Sequence, residues 1–403
     1  MTAFVTKRRT TLKITNVEAW VVVPDLGGLK DHQGTLHLNE WQWTFVTIET
    51  DEGITGWGES SSTPRNGSIL TGTGVRAVKE TLIGEDPADI ERLWQKLFRR
   101  YTYMGSRGFP TTIISGIDIA LWDIKGKATG RPVYDLLGGK MRDDIRMYAN
   151  AWFGGCSTPE QYHEAAKRTV AEGHDAMKMD PFLEMGPFHT MYQDGQISAD
   201  GENLGCDITA AVRDAVGKDV EVLIDAHGHY NVATAVRLAN RLYDESRIDW
   251  FEEPLPPEGI EALRSVRKQM RAPMCVGERL FTRWDCAQIL HEGLTDFLMP
   301  DVTWTGGISE LKKIATMAET YYIPISPHNA QGPGQILGGA HVSISTPNFY
   351  RLEHALDFKR GYDHFLTEPL NWQGNKLVLS DKPGLGIDLD MDRVRAELHP
   401  DWK

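Results

Sequence analysis

The most informative feature of the sequence is a set of ionisable residues that recur at nearly constant spacing in its second half. Each one ends a short apolar run, and consecutive members are 23 to 27 residues apart, about the length of one βα unit. The members are Asp225, Glu252, Glu278, Asp301, His328 and Glu353. The carboxyl ends of parallel barrel strands share one face, where barrel enzymes keep their active sites. One acid after a strand is often a helix cap, but six in register predict a functional site.

The first three members are carboxylates on adjacent predicted strands. Carboxylate oxygens are the hard ligands that Mg²⁺ prefers, whereas three converging carboxylates without a cation would raise one another's pKa values. The spacing therefore predicts a Mg²⁺ site. The alternative is a polar rim at which lysines relieve the repulsion between the carboxylates. Glu252 and Glu253 are neighbours and point to opposite sides of a strand, so only one of them can ligate. Residue order alone does not say which.

Further polar residues are predicted to share this face. His227 lies two residues beyond Asp225 and therefore on the same side of the strand. His229 is a competing candidate, although the chain should be leaving the strand by that point. Lys178 and Asp180 end the second run of the series and share a face for the same reason.

The remaining pair indicates acid–base chemistry at a carbon next to a carboxylate. Asp301 and His328 end neighbouring runs, and a hydrogen bond between them would fix the imidazole tautomer and keep it basic. Such a carbon acid loses its proton only if the enediolate is stabilised, which a divalent ion and a cation such as Lys178 can do. His328 would take the proton, and His227 could protonate a β-hydroxyl as it leaves.

The elements that must position these residues fall into two groups. Residues 13–23, 43–49 and a third segment ending near Glu59 have the alternation and the β-branched and aromatic residues of strands. Helical patterns follow, including residues 115–127. Three strands followed by helices indicate an α+β unit. The loop from Pro24 to Glu40 is long enough to be functional.

From about residue 145 the pattern becomes eight apolar runs alternating with amphipathic segments. The runs cover residues 145–149, 176–179, 220–224, 249–251, 274–276, 297–299, 322–325 and 350–352. Eight βα units in this length predict a closed barrel. An open sheet with a dinucleotide site is the alternative. However, the one Gly-rich candidate, Gly72 to Ala77, lies in the other half of the chain and outside any βαβ unit.

Composition narrows the classes of partner. The 403 residues carry a formal net charge of −13, which argues against nucleic acid or an anionic membrane surface as the main partner. The sequence contains no run of about 18 apolar residues, so no membrane-spanning helix is predicted. The first eleven residues lack the apolar region of a signal peptide. The four cysteines are scattered without CxxC spacing, which favours reduced thiols and a cytoplasmic protein.

These residues resemble the enolase superfamily, and within it the mandelate racemase subgroup of acid-sugar dehydratases, over nearly the whole chain from about Lys13. The motifs that carry the resemblance are Gly56–Glu59, Ala120–Lys127, Leu136–Gly139, Phe251–Pro254, Gly277–Arg279, Met299–Asp301 with Gly306–Gly307, and Lys382–Gly386. The resemblance implies a (β/α)7β modified TIM barrel of residues 141–369. It also implies an α+β capping domain of residues 12–140, completed by residues 370–403.

The resemblance also implies roles. It implies one Mg²⁺ per subunit, bound by Asp225, Glu252 and Glu278, and so selects Glu252 over Glu253 as a ligand. It makes His328 the base, Asp301 its partner and His227 the acid. It implies a small sugar-acid substrate, no nucleic-acid or membrane partner, and a homo-oligomer. The implied residues near the substrate are Glu353, Asn329, Asp180, Lys30 and His32.

Within the subgroup, galactonate dehydratases are most similar at residues 225–228, 277–285 and 327–333. Two departures bear on the substrate: Asp180 stands where those enzymes carry asparagine, and the loop from Pro24 to Glu40 is longer. The alternative activity is a racemase, epimerase or cycloisomerase on the same scaffold. Those reactions use a lysine at the place of Asp180 or of Asp301, and neither lysine is present.

Overall fold

The computed structural model describes residues 12–25, 41–62, 67–186, 194–356 and 359–403. The chain opens with an antiparallel sheet in the order β1 (Ile14–Val22), β2 (Trp43–Thr50) and β3 (Thr55–Glu59). The three predicted strands are therefore present within a residue or two of their expected bounds. Nearly all of β2 is buried, because helices cover one face of this sheet while the barrel lies against its other side.

The helices that follow this sheet are α1 (Gly67–Leu82), α2 (Ile90–Arg100), α3 (Phe109–Thr129) and α4 (Val133–Leu136). The predicted helix over residues 115–127 lies inside α3. Gly58 allows α3 to pack directly on β3, since a Cβ atom there would come within 2.1 Å of the Gly116 carbonyl oxygen. Residues 72–77 lie within α1, so this segment is not a phosphate-binding turn between a strand and a helix.

The second half of the chain alternates strands and helices as predicted. The strands are β4 (Ile145–Asn150), β5 (Ala176–Met179), β6 (Glu221–Asp225), β7 (Trp250–Glu252), β8 (Met274–Val276), β9 (Phe297–Leu298) and β10 (Leu352–Ala355). The helices are α5 (Pro159–Ala171), α6 (Ala199–Val216), α7 (Val232–Ser246), α8 (Ile260–Arg267), α9 (Thr282–His291), α10 (Gly307–Thr320), α11 (Pro333–Ile344) and α12 (Lys359–His364). Side chains of Thr158, Ser198 and Asn231 cap α5, α6 and α7.

Parallel pairing connects these strands in barrel order. It runs from β4 through β5, β6, β7 and β8 to β9, and β10 pairs with β4 from the other side. Isolated parallel bridges link Leu298 to Ile325, Ile325 to Phe349, and Asp301 to His328. These bridges occupy the position of the seventh strand. The fold is thus TIM-barrel-like, with a capping unit, as expected.

Two predicted runs are wrong in detail. Residues 322–325 form no strand, because Tyr322 is exposed in a left-handed conformation and Pro324 has no N–H to donate. The eighth strand begins at Leu352 rather than at Tyr350, and it includes the buried polar residues Glu353 and His354. A search for apolar runs could not extend the strand over those two residues.

The C-terminal segment returns to both halves of the protein. The hairpin of β11 (Asn371–Gln373) and β12 (Lys376–Val378) pairs antiparallel with β4, and α13 (Met391–Ala396) contacts β1. One hydrophobic cluster joins residues of β2 and β3 to residues of α11 and β10. The capping sheet is therefore packed against the barrel; the domain boundaries at residues 140 and 370 remain predictions. No helix in the described ranges is long and apolar enough to cross a membrane.

Candidate active site

Three carboxylates converge at the carboxyl ends of β6, β7 and β8. Asp225 and Glu252 are the last residues of β6 and β7, and Glu278 follows β8 by one glycine. One oxygen atom from each lies within 4.8 Å of the others, and all three residues are buried. Parallel pairing of Asp225 with Glu252 brings the first two together. The arrangement could hold a metal ion.

Electrostatics and hydrogen bonding fit a cation at this place. Burial and the charges of Asp225 and Glu278 raise the pKa of Glu252 well above its ordinary value. The Glu252 Oε2 atom is buried and accepts no hydrogen bond from any described residue. A buried carboxylate oxygen without a donor is costly, and a hard cation would satisfy it. Glu253 turns the other way, and its Oε1 atom accepts a hydrogen bond from the Gly277 N–H at 3.0 Å.

Lys178 carries a buried positive charge beside the three carboxylates, here called the triad. Its Nζ atom lies 2.7 Å from Glu252 Oε1, 3.1 Å from Asp225 Oδ2 and 3.1 Å from Glu353 Oε1. Burial alone would lower the pKa of Lys178, but the surrounding carboxylates outweigh it and raise that pKa well above its ordinary value. Lys178 therefore supplies a fixed cation at the site.

His328 and Asp301 form the hydrogen-bonded pair that their positions suggested. His328 Nδ1 lies 2.6 Å from Asp301 Oδ2, and His328 Nε2 lies 3.4 Å from Glu278 and 3.8 Å from Glu353. The imidazole thus presents Nε2 to the triad. Burial would lower its pKa, but the charges of Glu353, Glu278 and Asp301 raise the pKa of His328 to about 9.

A second pair of the same kind joins His227 to Asp180. His227 Nδ1 lies 2.8 Å from Asp180 Oδ2, and His227 Nε2 lies 3.4 Å from Asp225 Oδ2. Although burial opposes it, the charges of Asp225 and Asp180 raise the pKa of His227. His229 is buried with neither ring nitrogen bonded to a described residue. The structure thus brings His227, and not His229, next to Asp225.

Glu353 is held at the mouth of the barrel by hydrogen bonds to both of its oxygen atoms. Its Oε1 atom accepts a hydrogen bond from Asn150 Nδ2 at 2.7 Å, and its Oε2 atom accepts one from the Asn329 N–H at 3.0 Å. Burial alone would raise its pKa, but Lys178 and His328 outweigh it and hold the pKa of Glu353 below its ordinary value. The Asn329 amide donates to the Glu353 carbonyl and to the Tyr362 hydroxyl, so Asn329 holds Glu353 in place.

Some residues at the site were not anticipated from the sequence, and others lie out of reach. Asn150 ends the first barrel strand and follows the same spacing rule, so the rule applied to uncharged polar residues would have found it. Trp304 has its ring 5.2 Å from that of His328, and nothing in the sequence pattern marked it. Lys30 and His32, predicted to touch substrate, lie outside the described residues.

Two family models match this chain. The family model for the enolase C-terminal domain-like fold matches residues 161–393. The model for the N-terminal domain of mandelate racemase and muconate lactonizing enzyme matches residues 32–138. Together they cover most of the chain, including the triad and both histidine pairs.

Individual relatives include enzymes that act on sugar acids. The chain is 37% identical to a D-gluconate dehydratase of Thermoproteus tenax, over 88% of this chain and 70% of that protein. It is 35% identical to a D-galactonate dehydratase of Pectobacterium atrosepticum, over 90% of this chain and 93% of that protein. It is also 35% identical to a D-galactarolactone cycloisomerase of Agrobacterium fabrum, over 89% and 91% of the two chains.

Solved structures show the same fold over most of the chain. The structure of an enolase-superfamily member from Salmonella typhimurium superposes with a TM-score of 0.87 at 30% sequence identity, covering 95% of this chain and 98% of that one. The chain therefore belongs to the mandelate racemase/muconate lactonizing enzyme family of the enolase superfamily.

Proposed function

We propose that this protein is a Mg²⁺-dependent dehydratase of sugar acids, a hydro-lyase that converts an aldonate to its 2-keto-3-deoxy acid. One observation carries the proposal: two histidines, His328 and His227, each present Nε2 within 3.4 Å of a triad carboxylate and each have Nδ1 held by an aspartate. Dehydration needs one proton removed and one delivered, and the site offers two imidazoles suited to those tasks.

Asp225, Glu252 and Glu278 would hold the Mg²⁺ ion. When bound, the ion supplies Lewis-acid stabilisation of the substrate carboxylate and of the enediolate that forms from it. The chain adds a positive charge of its own at Lys178, which lies among the same carboxylates. Fixed cations in a buried site are suited to stabilising developing negative charge.

His328 would act as the base that removes the proton from the carbon next to the carboxylate. A base must be neutral at Nε2, yet the free carboxylates raise the pKa of His328 to about 9. Part of that rise comes from Glu278, whose charge is offset when it serves as a metal ligand. Asp301 keeps the proton on Nδ1, so that Nε2 carries the lone pair toward the substrate.

His227 would act as the acid that protonates the departing β-hydroxyl. The charges of Asp225 and Asp180 raise its pKa, which favours the protonated imidazole, and Asp180 stabilises that charge through Nδ1. Loss of water leaves an enol, which takes up a proton at carbon 3 and loses the proton of its 2-hydroxyl, giving the 2-keto-3-deoxy acid. Glu353, with both oxygens hydrogen-bonded, borders the same space and would contact the substrate carboxylate or the enediolate.

The second candidate is a cycloisomerase, racemase or epimerase, which the cycloisomerase relative favours. The two positions where such reactions use a lysine hold Asp180 and Asp301 instead, and both are hydrogen-bonded to histidines. At those two positions this chain therefore offers a carboxylate and not the amine base that such reactions use. This arrangement favours the dehydratase.

A substrate screen tests the proposal. The purified protein is incubated with Mg²⁺ and a library of aldonates, aldarates and uronates, and 2-keto acid formation is measured for each. We expect turnover of at least one aldonate, with none after chelation of the metal. Isomerised or lactone-opened product without any 2-keto acid would favour the second candidate, and activity unaffected by chelation would contradict the proposed chemistry.

Some properties of the protein belong to the proposal as predictions. They are a homo-oligomeric state, a cytoplasmic location, and contacts of Lys30 and His32 with the substrate. The four cysteines are free thiols, three of them buried, which supports a reducing compartment. The identity of the sugar acid depends on the loop after β1, and galactonate is one candidate among several.

A further inference from the structure

The carboxylate of Asp301 accepts more hydrogen bonds than its pairing with His328 requires. Its Oδ1 atom accepts from the Thr303 N–H and hydroxyl, both at 2.7 Å, and from the Trp304 N–H at 3.1 Å. Its Oδ2 atom accepts from His328 Nδ1 at 2.6 Å and from Gln335 Nε2 at 2.5 Å. Gln335 therefore shares the oxygen that binds the imidazole.

The orientation of the Gln335 amide follows from its other partner. The Gln335 Oε1 atom lies 2.6 Å from the backbone N–H of Gln331, which can only donate. The oxygen must face that N–H, so the NH2 group must face Asp301. The side chain is fully buried, and both ends of the amide are satisfied by neighbours of the base.

The backbone of Gln335 is fixed by a residue from the capping sheet. The carboxylate of Glu59, the last residue of β3, accepts hydrogen bonds from the N–H groups of Gly332 at 2.8 Å, Gly334 at 2.7 Å and Gln335 at 3.1 Å. Pro333 has no N–H, so these bonds satisfy the start of α11. Glycine is required at 334, where a Cβ atom would come within 2.6 Å of the Glu59 Cβ.

A second contact ties the surroundings of His328 to the same short segment. The ring of Trp304 lies 5.2 Å from the His328 ring, and Trp304 Nε1 donates a hydrogen bond to the Ser61 carbonyl at 3.1 Å. Glu59 and Ser61 are two residues apart. Residues at and just after the end of β3 are therefore connected to His328 by two sets of contacts. One set passes through Gln335 on α11, and the other passes through Trp304 after β9.

We propose that Gln335 is a positioning residue for His328, and that Glu59 fixes Gln335 from the capping sheet. The proposal deepens the proposed function, because it rests on His328 as the base. Because Gln335 Nε2 also donates to Oδ2, it limits rotation of the Asp301 carboxylate. The carboxylate in turn fixes the orientation of the His328 ring. A displacement of a fraction of an ångström at a base lowers the chemical rate more than it lowers substrate affinity.

Substitution of Gln335 by methionine tests the proposal. Methionine keeps the length and burial of the side chain and removes the donor to Asp301. We expect kcat for dehydration and for exchange of the α-proton to fall roughly ten- to a hundredfold, with KM changed by less than about threefold. Gln288→Met is the matched control, since Gln288 is an exposed glutamine on α9 whose side-chain amide donates to Glu292.

A spectroscopic signature separates positioning from loss of structure. The His328 Nδ1 proton, shared with Asp301, should give a downfield resonance in protein carrying ¹⁵N-labelled histidine, assigned by its absence in His328→Asn. We expect Gln335→Met to shift this resonance while the Gln288→Met spectrum is unchanged. This readout needs no substrate, so failure of the proposed function and failure of this inference are distinguishable.

The outcomes are decisive in either direction. An unshifted resonance, kcat within about twofold of the wild type, or a loss confined to KM would overturn the proposal. If Gln335→Met does not fold, Glu59→Gln decides: it retains one acceptor for α11, and we expect a smaller shift of the same resonance. An unchanged resonance and kcat in Glu59→Gln would then overturn it.

Discussion

His227 and Asp180 form a hydrogen-bonded pair, with 2.8 Å between Nδ1 and Oδ2, that repeats the pairing of His328 with Asp301. One pair reaches the triad through Asp225 and the other through Glu278. Asp180 is thus the counterpart of Asp301. The two carboxylates give the two imidazoles the same orientation, with Nδ1 held and Nε2 presented, so the division into acid and base must come from where the substrate lies.

Substitution of Asp180 by alanine should impair the acid and spare the base. The change removes the charge that stabilises the His227 imidazolium, and a hydrogen bond to a charged group contributes about 1.5–3 kcal/mol. We expect dehydration to fall roughly ten- to a hundredfold while exchange of the α-proton with deuterated solvent continues. Mass spectrometry of the recovered substrate measures that exchange. Equal loss of both activities would contradict a separate role for Asp180.

The two histidines should differ when each is replaced by asparagine. His328→Asn removes the base, so we expect loss of both dehydration and α-proton exchange. His227→Asn removes only the acid, so we expect elimination to be lost while part of the exchange remains. Both rates can be followed in one deuterium experiment by NMR. The assignment of acid and base is wrong if exchange disappears equally in the two variants.

Mg²⁺ should stabilise the folded protein through Glu252. A ligand at a hundred times its Kd adds about 2.7 kcal/mol to the free energy of unfolding, so we expect Tm to rise with Mg²⁺ concentration. Glu252→Gln should abolish this rise. Glu253→Gln is the informative comparison, because Glu253 bonds Gly277 and lies outside the triad. A metal-dependent rise that survives in Glu252→Gln but disappears in Glu253→Gln would reverse the choice of ligand.

Because of His341, the free energy of unfolding should fall at acidic pH. Its Nδ1 atom accepts from the Tyr134 N–H and its Nε2 atom faces the Leu385 carbonyl, and burial lowers its pKa to about 4. The unfolded chain binds this proton near pH 6.5, so the contribution is complete above that pH. This contribution is lost as pH falls toward 4, and the loss in the free energy of unfolding reaches about 3 kcal/mol.

The measurement is urea unfolding at several pH values, with His341→Met beside the wild type. Buried carboxylates with a raised pKa, such as Glu59 and Asp118, favour the folded state as pH falls through 7. They are present in both proteins, so the difference between the two isolates His341. We expect that difference to shrink between pH 6.5 and 4, and a constant difference would contradict the prediction.

The sequence predicted the position of a site residue wherever that position follows from strand order. Asp225, Glu252 and Glu278 meet because parallel strands end on one face. His328 meets Asp301 because the two segments that carry them are adjacent and share a parallel bridge. The pairing of His227 with Asp180 joins β5 and β6, and strand order alone placed both residues on the right face without showing the hydrogen bond. The orientation of an imidazole depends on side-chain torsions that spacing does not encode.

Other parts of the site depend on contacts between distant segments. Glu59 and Gln335 are 276 residues apart, and no periodicity relates the end of β3 to the start of α11. The seventh strand failed as a prediction for the opposite reason, since its apolar run is present but Pro324 and the exposed Tyr322 prevent a ladder.

The hydrogen bonds from α11 to Glu59 have a consequence for engineering. A barrel excised at residue 141 would lose the acceptor of three buried N–H groups beside its own base, so the second half of this chain is not an interchangeable module. Chimeras between relatives should therefore exchange the end of β3 together with the turn that leads into α11. A graft that moves only one of them leaves the N–H groups at the start of α11 without their acceptor, beside the glutamine that bonds Asp301.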